Sequence, residues 1–396
     1  MNMNEQMKES EESILHTYNR FPVVFEKGQG CYLYDSEGKE YLDFAAGIAV
    51  NSLGYHYPGY DEALKDQIDK LMHISNLYYN EPIIEAGAKL VKASKMSKAF
   101  FTNSGTEAIE GALKAAKKYA YVRDGHADHE IIAMNHSFHG RSIGALSVTG
   151  TAHYREPFEP LMGGVKFADF NDLENVKAQI TDKTCAIITE VVQGEGGIYP
   201  AKKEFLEGLR QICDEKDIML IFDEIQCGMG RTGHYFAWQA YGVQPDIMTN
   251  AKALGCGVPV GAFVLNEKAA KASLEPGDHG TTYGGNPFVC AAVSKVFDIY
   301  KNDKIIEHVQ EMTPYLEQKL DEIVAKHECA ATRRGMGFMQ GIVIQGRPVG
   351  EVVKAALAKG LLVISAGSDV LRIVPPLVIT KEHIDKMAAI LDECME

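Results

Sequence analysis

Lys252 occupies a position in this sequence that raises a direct chemical question. It follows the short apolar run at residues 246–249 and precedes a glycine-rich turn in the segment "TNAKALGCGVPVG". A lysine becomes a nucleophile when burial or a nearby cation lowers its pKa, because free amine is then present at neutral pH. A solvated lysine in an ordinary turn has no such role. The groups that the fold brings to Lys252 must decide between the two interpretations.

A second candidate is the carboxylate of Asp223, which closes the apolar run at residues 218–222. Such a carboxylate either caps a helix or joins a structural ion pair, or it holds a proton on a bound ligand. Gly228, Gly230 and Gly233 follow in the pattern GxGxxG of dinucleotide sites. Neither a clear helix nor an acidic residue about 20 positions later completes that pattern. It therefore supports only an alternative function, that of an NAD-dependent dehydrogenase.

Residues 103–107 form a candidate anion site at the start of a helix. Ser104 and Glu107 have the spacing of a capping box, which alone would explain them. Gly105 would also allow a ligand to approach closely. The backbone N–H groups of Gly105 and Thr106, together with the helix dipole, would then hold an anion such as phosphate.

The loop segment "SFHGR" carries Phe138, His139 and Arg141. An aromatic residue there usually packs in the core, and an arginine is usually solvated. Around a planar ligand, however, Phe138 could stack on the ring and Arg141 could bind a carboxylate through two N–H groups. Four histidines occur between residues 126 and 139. No acidic partner or fixed spacing accompanies them, so we predict no metal site.

Arg372 lies within the apolar segment "VLRIVPPLVI", residues 370–379, which is typical of a buried strand. A buried guanidinium without a counter-charge is costly. Arg372 should therefore pair with an acid of this chain or with a substrate carboxylate. Glu190 and Glu195, in the glycine-rich segment "EVVQGEGG", are the candidate acids.

Short apolar runs alternate with helix-like segments through the middle of the chain. Helical spacing of apolar residues at 107–120 and 204–216 predicts two of the helices. The alternation predicts an α/β fold with a mostly parallel, doubly wound sheet, whose ligands bind at the carboxyl ends of the strands. Asn103, Glu190, Asp223 and Lys252 would then meet at one edge of the sheet. The predicted strands are residues 98–102, 130–134, 185–189, 218–222, 246–249 and 261–265.

The pattern changes to longer helical stretches after about residue 290. We predict a large domain at residues 56–290 and a smaller α+β domain at residues 291–396. The N-terminal segment, residues 1–55, is predicted to join the smaller domain.

Composition argues against several classes of function. Of the 396 residues, 46% are hydrophobic, which is enough for a sizeable core. The formal net charge of -14 argues against nucleic acid as a partner. The eight cysteines form no CxxC pair and fit reduced thiols in a cytoplasmic protein. We find no signal-peptide pattern and no apolar run near the ~20 residues of a membrane span, so we expect no membrane partner.

Together these groups match what pyridoxal phosphate (PLP) requires. Lys252 would form a Schiff base with the cofactor. Asp223 would keep the pyridine nitrogen protonated, so that the ring could accept carbanion electrons. The helix N-terminus at Gly105 and Thr106 would hold the phosphate. Each of these features alone is weak evidence, and it is their occurrence together and in this order along the chain that indicates a PLP site.

At this point the sequence resembles a known family, the class III (ω-amino) aminotransferases of PLP fold type I, over nearly its whole length. Within this family, "HISNLYYNEP" (73–82) and "HGTTYGGNP" (279–287) are most similar to the acetylornithine aminotransferases. The segments that carry the resemblance are "YLDFAAGIAV" (41–50), "FFTNSGTEAIE", "SFHGRS", "QGEGG", "IFDEIQCGMGRTG", "NAKALGCGVPVGA", "HGTTYGGNP" and "LRIVPPL".

The resemblance implies a role for each matching residue of the cofactor site. Lys252 would also move the proton between Cα and C4′, and Asp223 would pair with the pyridinium nitrogen. Phe138 and Ile225 would sandwich the ring, and Gln226 would bond the ring hydroxyl. The remaining cofactor-binding residues would be Ser104, Gly105, Thr106, His139, Glu190 and, from the neighbouring subunit of a homodimer, Thr282.

The resemblance also implies how substrates bind. Arg141 and Arg372 would receive substrate carboxylates. Glu195 would neutralise Arg372 while the ω-amino donor is bound and swing away for 2-oxoglutarate. Two arginines are useful because one co-substrate has two carboxylates and the other has one.

The implied reaction moves the ω-amino group of N2-acetyl-L-ornithine to 2-oxoglutarate, giving N-acetylglutamate semialdehyde and glutamate in arginine biosynthesis. Succinylornithine, ornithine and 4-aminobutyrate are alternative donors. A non-catalytic binding protein that retains the fold is a further alternative. Val191, Cys227, Ala253 and Cys256 depart from the family pattern, and the sequence offers no physical reason for the last two.

Overall fold

A computed structural model describes residues 2–396 of the chain. Its strands and helices, numbered in chain order, form three larger sheets and one short hairpin, with helices packed around them. The strands are β1 (Phe25–Gln29), β2 (Tyr32–Asp35), β3 (Glu40–Asp43), β4 (Lys98–Thr102), β5 (Glu130–Met134), β6 (Val165–Ala168), β7 (Thr184–Glu190), β8 (Val192–Gln193), β9 (Tyr199–Pro200), β10 (Met219–Asp223), β11 (Ile247–Asn250), β12 (Gly261–Leu265), β13 (Ala330–Met336), β14 (Met339–Ile344), β15 (Leu361–Leu362), β16 (Ile364–Ala366) and β17 (Val370–Ile373).

The helices account for most of the remaining regular structure, together with two 3-10 turns at Glu156–Phe158 and Lys252–Leu254. None of the helices within residues 2–396 combines the length and the apolar character needed to cross a membrane. The helices are α1 (Met3–Ser13), α2 (Ala46–Ala49), α3 (Tyr60–Lys70), α4 (Glu81–Ser94), α5 (Gly105–Asp124), α6 (Ile143–Ser147), α7 (Ala152–Arg155), α8 (Leu173–Gln179), α9 (Lys203–Lys216), α10 (Trp238–Tyr241), α11 (Glu267–Lys271), α12 (Pro287–Asn302), α13 (Ile305–Lys326), α14 (Val349–Ala358) and α15 (Lys381–Met395).

The seven-stranded central sheet has the order β4-β12-β11-β10-β7-β5-β6. All neighbouring pairs are parallel except those made by β12, which is antiparallel to both β11 and β4. Every residue of β7, β10, β11 and β12 is buried. Strands covered on both faces read as continuous apolar runs, and the sequence shows such runs. The predicted mostly parallel sheet is confirmed.

The register of the central strands brings the predicted reactive groups to one edge. Asp223 lies opposite Glu190 on β7 and opposite Thr249 on β11. β12 begins at Gly261 beside Thr102, the last residue of β4. The carboxyl ends of β4, β7, β10 and β11 therefore share this edge, and α5 begins there as well.

Two four-stranded sheets lie outside the central one. In the first, β15 near the C-terminus pairs in parallel with β3 of the N-terminal segment. In the second, the order is β13-β14-β17-β16. The predicted boundary between residues 290 and 291 falls inside helix α12, and the division into domains stays a prediction.

One predicted strand is shorter than expected. The apolar segment at residues 370–379 predicts a strand throughout, whereas β17 ends at Ile373. Pro375 and Pro376 follow, and proline has no N–H to donate to a neighbouring strand. The prediction is therefore correct for the part that contains Arg372 and wrong beyond it.

Candidate active site

A cavity of about 510 Å³ opens at the edge of the sheet where the strands end. Its volume is typical of sites for small molecules. Nearly all the predicted site residues meet there, although they come from five separate segments of the chain. Those that line the cavity are Ser104, Gly105, Thr106, Phe138, His139, Arg141, Glu190, Glu195, Asp223, Ile225, Gln226 and Lys252.

The carboxylate of Asp223 is 3% exposed and is held by donors on several sides. Its Oδ2 lies 2.7 Å from Nδ1 of His139. Its Oδ1 accepts from the backbone N–H of Ile225 at 3.0 Å and from the hydroxyl of Thr249 at 3.3 Å. These bonds fix the orientation of a buried carboxylate that has no Lys or Arg partner at salt-bridge distance within residues 2–396. His139 is a group whose role the sequence pattern did not specify.

Lys252 begins the 3-10 turn that follows β11, the strand next to Asp223. Burial lowers the pKa of its amine, and the charge of Asp223 partly opposes that effect. Its backbone has φ +47, a left-handed conformation that costs a non-glycine residue about 1–2 kcal/mol. A lowered pKa and a strained backbone at a cavity wall are both typical of functional residues. Lys252 is not a freely solvated surface charge.

The glycines after Lys252 allow the chain to turn tightly. A Cβ on Gly255 would lie 2.2 Å from the carbonyl oxygen of Val258, and Gly257 has φ +107. Cys256, between them, is buried, and its sulfur accepts a hydrogen bond from the backbone N–H of Leu53 at 3.3 Å. Burial raises the pKa of this thiol, so the neutral sulfur ties the turn to the N-terminal segment. This contact supplies the reason for Cys256 that the sequence lacked.

The N-terminus of α5 faces the cavity. Ser104 caps the helix by accepting from the backbone N–H of Glu107 at 3.3 Å. The predicted capping box is incomplete, because the carboxylate of Glu107 accepts instead from the backbone and side chain of Asn103. The hydroxyl of Thr106 is engaged by Ser142 at 2.8 Å. Backbone N–H groups of the first helical turn have no partner inside the helix, so they remain suited to an anion.

Gly105 is required for a reason that the sequence did not reveal. A Cβ at this position would lie 2.9 Å from Cδ1 of Ile225. The absence of a side chain therefore lets Ile225 pack over the start of the helix. Phe138 and Ile225 both line the cavity.

Arg372 lies behind the cavity wall and is 3% exposed. Its Nη1 donates to Oε1 of Glu195 at 2.6 Å and to Oε1 of Gln226 at 3.1 Å. The buried guanidinium thus pairs with an acid that lines the cavity. Because the oxygen of Gln226 accepts from Arg372, its amide N–H groups remain as donors.

Arg141 lines the same cavity but has a different environment. Within residues 2–396 it forms no ion pair with an acidic side chain. Its guanidinium carbon lies 3.9 Å from the ring centroid of Tyr154 and 5.5 Å from that of Phe138. The side chain is exposed, so its N–H donors are available to a ligand.

Glu190 is a buried acid that neighbours Asp223 across the sheet. It accepts from the backbone N–H of Gly194 at 3.0 Å and of Phe138 at 3.3 Å. Burial raises the pKa of this carboxyl to about 7, and the charge of Asp223 acts in the same direction. Unlike Glu195, Glu190 has no arginine partner among the described residues.

Besides Arg372, which lies behind the cavity wall, Thr282 is the predicted site residue that does not line the cavity. It is exposed and is not among the residues that line the cavity. Sequence reasoning also missed part of the lining. The missed residues are Val50, Gly140, Ala251, Gly257, Val258, Pro259 and Val260.

Two other sequence patterns have structural outcomes. The prediction that the histidines lack an acidic partner is wrong, because ligand atoms of Asp124, His126 and His129 lie within 4.8 Å of one another. Both carboxylate oxygens of Asp124 accept from Arg123 at 2.6 Å, so this carboxylate is already neutralised. The GxGxxG segment precedes no long helix, since the next helix is the four-residue α10.

The residues present fit PLP. The cavity combines a helix N-terminus suited to a phosphate, a carboxylate fixed by three donors and a lysine with a lowered pKa. Nε2 of His139 is buried without a partner among the described residues. A planar, anionic ligand with a ring nitrogen matches this set of groups.

The known proteins to which this chain is similar are aminotransferases. The profile of the family described as Aminotransferase class-III matches residues 14–395. The acetylornithine aminotransferase of Clostridium acetobutylicum is 47% identical over 388 residues, covering 98% of this chain and 100% of that protein. The succinylornithine transaminase of Yersinia pseudotuberculosis is 43% identical over 385 residues, covering 94% and 92%. The solved ornithine aminotransferase of Toxoplasma gondii, with PLP at partial occupancy, has a TM-score of 0.95 at 28% identity, covering 99% of this chain and 94% of that one.

Proposed function

The chain belongs to the class-III aminotransferase family and is a PLP-dependent transaminase, and from that premise we propose that its donor is N2-acetyl-L-ornithine and its acceptor 2-oxoglutarate. The products are N-acetylglutamate semialdehyde and glutamate, a step of arginine biosynthesis. The observation that supports this most is a cavity with one acid-paired arginine and one arginine without an acid. Membership of this family makes the NAD-dependent dehydrogenase alternative wrong.

Lys252 is the proposed catalytic base. Its Nζ would hold the cofactor covalently and, as a free amine, would move a proton to and from the substrate carbon. When bound, PLP supplies an electron sink for the carbanion that forms at the substrate carbon. The pKa of Lys252 is lowered by burial, which supports this role because a lower pKa favours the free amine that accepts the proton.

The proposed cofactor contacts follow from the donors that the chain leaves unused. Asp223 pairs with the protonated ring nitrogen, and Nδ1 of His139, 2.7 Å away, keeps that carboxylate oriented. Gln226 donates an amide N–H to the ring hydroxyl, since its oxygen is engaged by Arg372. The N–H groups of Gly105 and Thr106 hold the phosphate, with the cap at Ser104. Phe138 and Ile225 enclose the ring, and Glu190 lies at the same wall.

The two arginines divide the carboxylates of the substrates. Arg141 binds the single free carboxylate of the donor and the distal carboxylate of 2-oxoglutarate. Arg372 binds the second carboxylate of 2-oxoglutarate after Glu195 moves away. While the donor is bound, Glu195 neutralises Arg372, with which it pairs at 2.6 Å. A buried, unpaired guanidinium would otherwise cost several kcal/mol.

We further propose a homodimer in which Thr282 of each subunit contacts the phosphate in the neighbouring site. Exposed apolar side chains in two segments support it, and these segments meet where the side chain of Asn76 donates to the carbonyl of Gly284 at 2.7 Å. Leu77 is 86% exposed, Tyr79 96% and Tyr283 62%. Large apolar side chains exposed together mark an interface. A monomer with full activity would contradict this proposal.

A screen of amine donors tests the substrate proposal. The purified enzyme is mixed with N2-acetylornithine, succinylornithine, ornithine or 4-aminobutyrate in the absence of 2-oxoglutarate, and the visible absorbance of the cofactor is followed. We expect N2-acetylornithine to react with the largest second-order rate constant. The 43% identity to a succinylornithine transaminase makes succinylornithine the second candidate. A faster reaction with ornithine or 4-aminobutyrate would overturn the donor proposal.

Replacement of Lys252 tests the catalytic proposal. Lys252→Ala should lose the visible band of the covalently held cofactor and at least about 10⁴-fold in turnover, because it removes attachment and proton transfer together. Lys114→Ala, a change in an exposed lysine of α5, is the control and should keep both. Retention of the band in Lys252→Ala would contradict the assignment. No turnover by the wild-type protein with any donor would instead favour the non-catalytic alternative.

Two coarser proposals complete the assignment. The enzyme acts in the cytoplasm, which eight cysteines without a disulfide support. Its large and small domains follow the predicted division at residues 56–290 and 291–396, with residues 1–55 joining the small domain through the pairing of β3 and β15.

A further inference from the structure

Arg141 is held by an aromatic side chain to which the sequence pattern assigned no role. Its guanidinium carbon lies 3.9 Å from the ring centroid of Tyr154. That distance is well inside the range of about 6 Å over which a cation is attracted to the face of an aromatic ring. The ring of Tyr154 in turn meets that of Phe138 edge to face, with centroids 6.0 Å apart at 81°.

The two segments that carry Arg141 and Tyr154 are joined by hydrogen bonds. The backbone N–H of Gly150 donates to the carbonyl of Ser137 at 3.0 Å. The backbone N–H of His139 donates to the hydroxyl of Thr149 at 3.0 Å. Tyr154 follows in the short helix α7. Its ring is therefore placed by the same contacts that order the loop at residues 137–141.

An aromatic ring holds a guanidinium differently from a carboxylate. The ring attracts the positive charge through its π face and takes up none of the N–H donors. A carboxylate would occupy those donors and would have to be displaced by each substrate. Arg141 makes no ion pair within residues 2–396, so its donors stay free.

We propose that Tyr154 is a positioning residue, which orients Arg141 for the substrate carboxylate without neutralising it. This inference rests on the proposed role of Arg141 and deepens it. The ring of Phe138 lies 5.5 Å from the same guanidinium carbon and meets the ring of Tyr154 edge to face. The ring of Tyr154 is the part that acts, and its hydroxyl is dispensable.

Kinetics of three variants test the proposal. Tyr154→Leu should raise KM for the donor and for 2-oxoglutarate about 3- to 30-fold, with kcat within about twofold of the wild type, the range expected for loss of one cation–π contact. Tyr154→Phe keeps the ring and should restore the wild-type KM. Phe158→Leu, a matched aromatic change at an exposed position of the same segment, should leave KM unchanged.

Two further measurements separate positioning from a general effect on the site. The half-reaction with 1-aminobutane, an amine without a carboxylate, should have the same rate in Tyr154→Leu and in the wild type. In the Arg141→Met background, Tyr154→Leu should change KM by less than about twofold, because a residue that acts only through Arg141 has nothing left to position. This double mutant remains informative if the single variants differ in stability.

The proposal is overturned if KM for carboxylate substrates is unchanged in Tyr154→Leu, if the 1-aminobutane reaction falls equally, or if the effect persists in the Arg141→Met background. The donor proposal fails separately, when the wild-type enzyme does not prefer N2-acetylornithine. In that case the Tyr154 measurements are made with whichever carboxylate-bearing donor the wild type accepts.

Discussion

Two arginines approach the same cavity from opposite environments. Arg372 is 3% exposed and is paired with Glu195 at 2.6 Å. Arg141 is exposed and rests against the ring of Tyr154. The first cation is neutralised by its acid, while the second rests on an aromatic ring and keeps its N–H donors available. This difference suits a reaction in which one carboxylate is common to both substrates and another belongs to only one.

The comparison shows how burial determines the partner that an arginine needs. A guanidinium removed from water requires a counter-charge, which Glu195 supplies to Arg372. An exposed guanidinium is already solvated and gains more from orientation than from neutralisation. An acid, Glu195, therefore neutralises Arg372, whereas an aromatic ring, that of Tyr154, orients Arg141.

Among the changes that test the difference between the two arginines, removal of the buried cation should have the largest effect. Arg372→Met should slow the half-reaction with 2-oxoglutarate by about 10²- to 10³-fold, or about 3–4 kcal/mol, since a buried charged contact is lost. The donor half-reaction should fall much less. Single-turnover absorbance measurements with each substrate check this selectivity. Equal losses in both half-reactions would contradict the proposal that Arg372 binds a carboxylate of 2-oxoglutarate only.

The next largest expected effect is on the free energy of unfolding and comes from Glu190, a buried acid that has no arginine partner among the described residues. The pKa of Glu190 is raised to about 7, so folding retains a proton that the unfolded chain has released above about pH 4.5. Its contribution to stability is present below that pH and is lost as pH rises through 7. Glu190→Gln should reduce the decrease in unfolding free energy between pH 5 and pH 8 by up to about 3 kcal/mol.

Urea unfolding at the two pH values measures the change for Glu190→Gln. Glu328→Gln, at an exposed position, is the control and should retain the wild-type pH dependence. If Glu190→Gln shows the same pH dependence as the wild type, Glu190 is ionised in the folded protein.

Removal of the exposed cation, Arg141, should reduce activity less than removal of Arg372 does, but it should do so in both half-reactions. Arg141→Met should reduce kcat/KM in both half-reactions by about 10- to 100-fold, because each loses one charged hydrogen-bonding contact of about 1.5–3 kcal/mol. A loss confined to one half-reaction would show that the two substrates do not share Arg141.

The smallest expected effect comes from replacing Glu195, the acid that pairs with Arg372. Glu195→Gln leaves Arg372 unneutralised, so KM for the donor should rise about 3- to 10-fold, while 2-oxoglutarate should bind equally well or more tightly. Steady-state KM values for both substrates check this. Weaker binding of both substrates would contradict the proposed exchange of partners at Arg372.

Much of the fold followed from the sequence because its signals are local. Continuous apolar runs located all six predicted strands of the central sheet, and each lies within one residue of the observed bounds. The antiparallel direction of β12 had no such signal, because direction depends on which strands meet in the sheet.

The candidate site shows the same limit. Lys252 and Asp223 could be placed together because both follow neighbouring strands of a predicted sheet. Tyr154 could not be assigned, because nothing in the segment "TAHYREP" indicates that its ring meets Arg141. Likewise, Cys256 is explained by its contact with the backbone of Leu53, which the sequence does not indicate.

The sequence by itself determined which residues could do chemistry here, because side-chain type and the order of strand ends are properties of the chain. The tertiary structure decided what each of them faces. Glu195 and Arg372 are 177 residues apart and meet at 2.6 Å, whereas Arg141 meets a ring. Such pairings depend on how loops from separate strands converge, since contacts of this kind are set by distance in space and leave no periodicity in sequence.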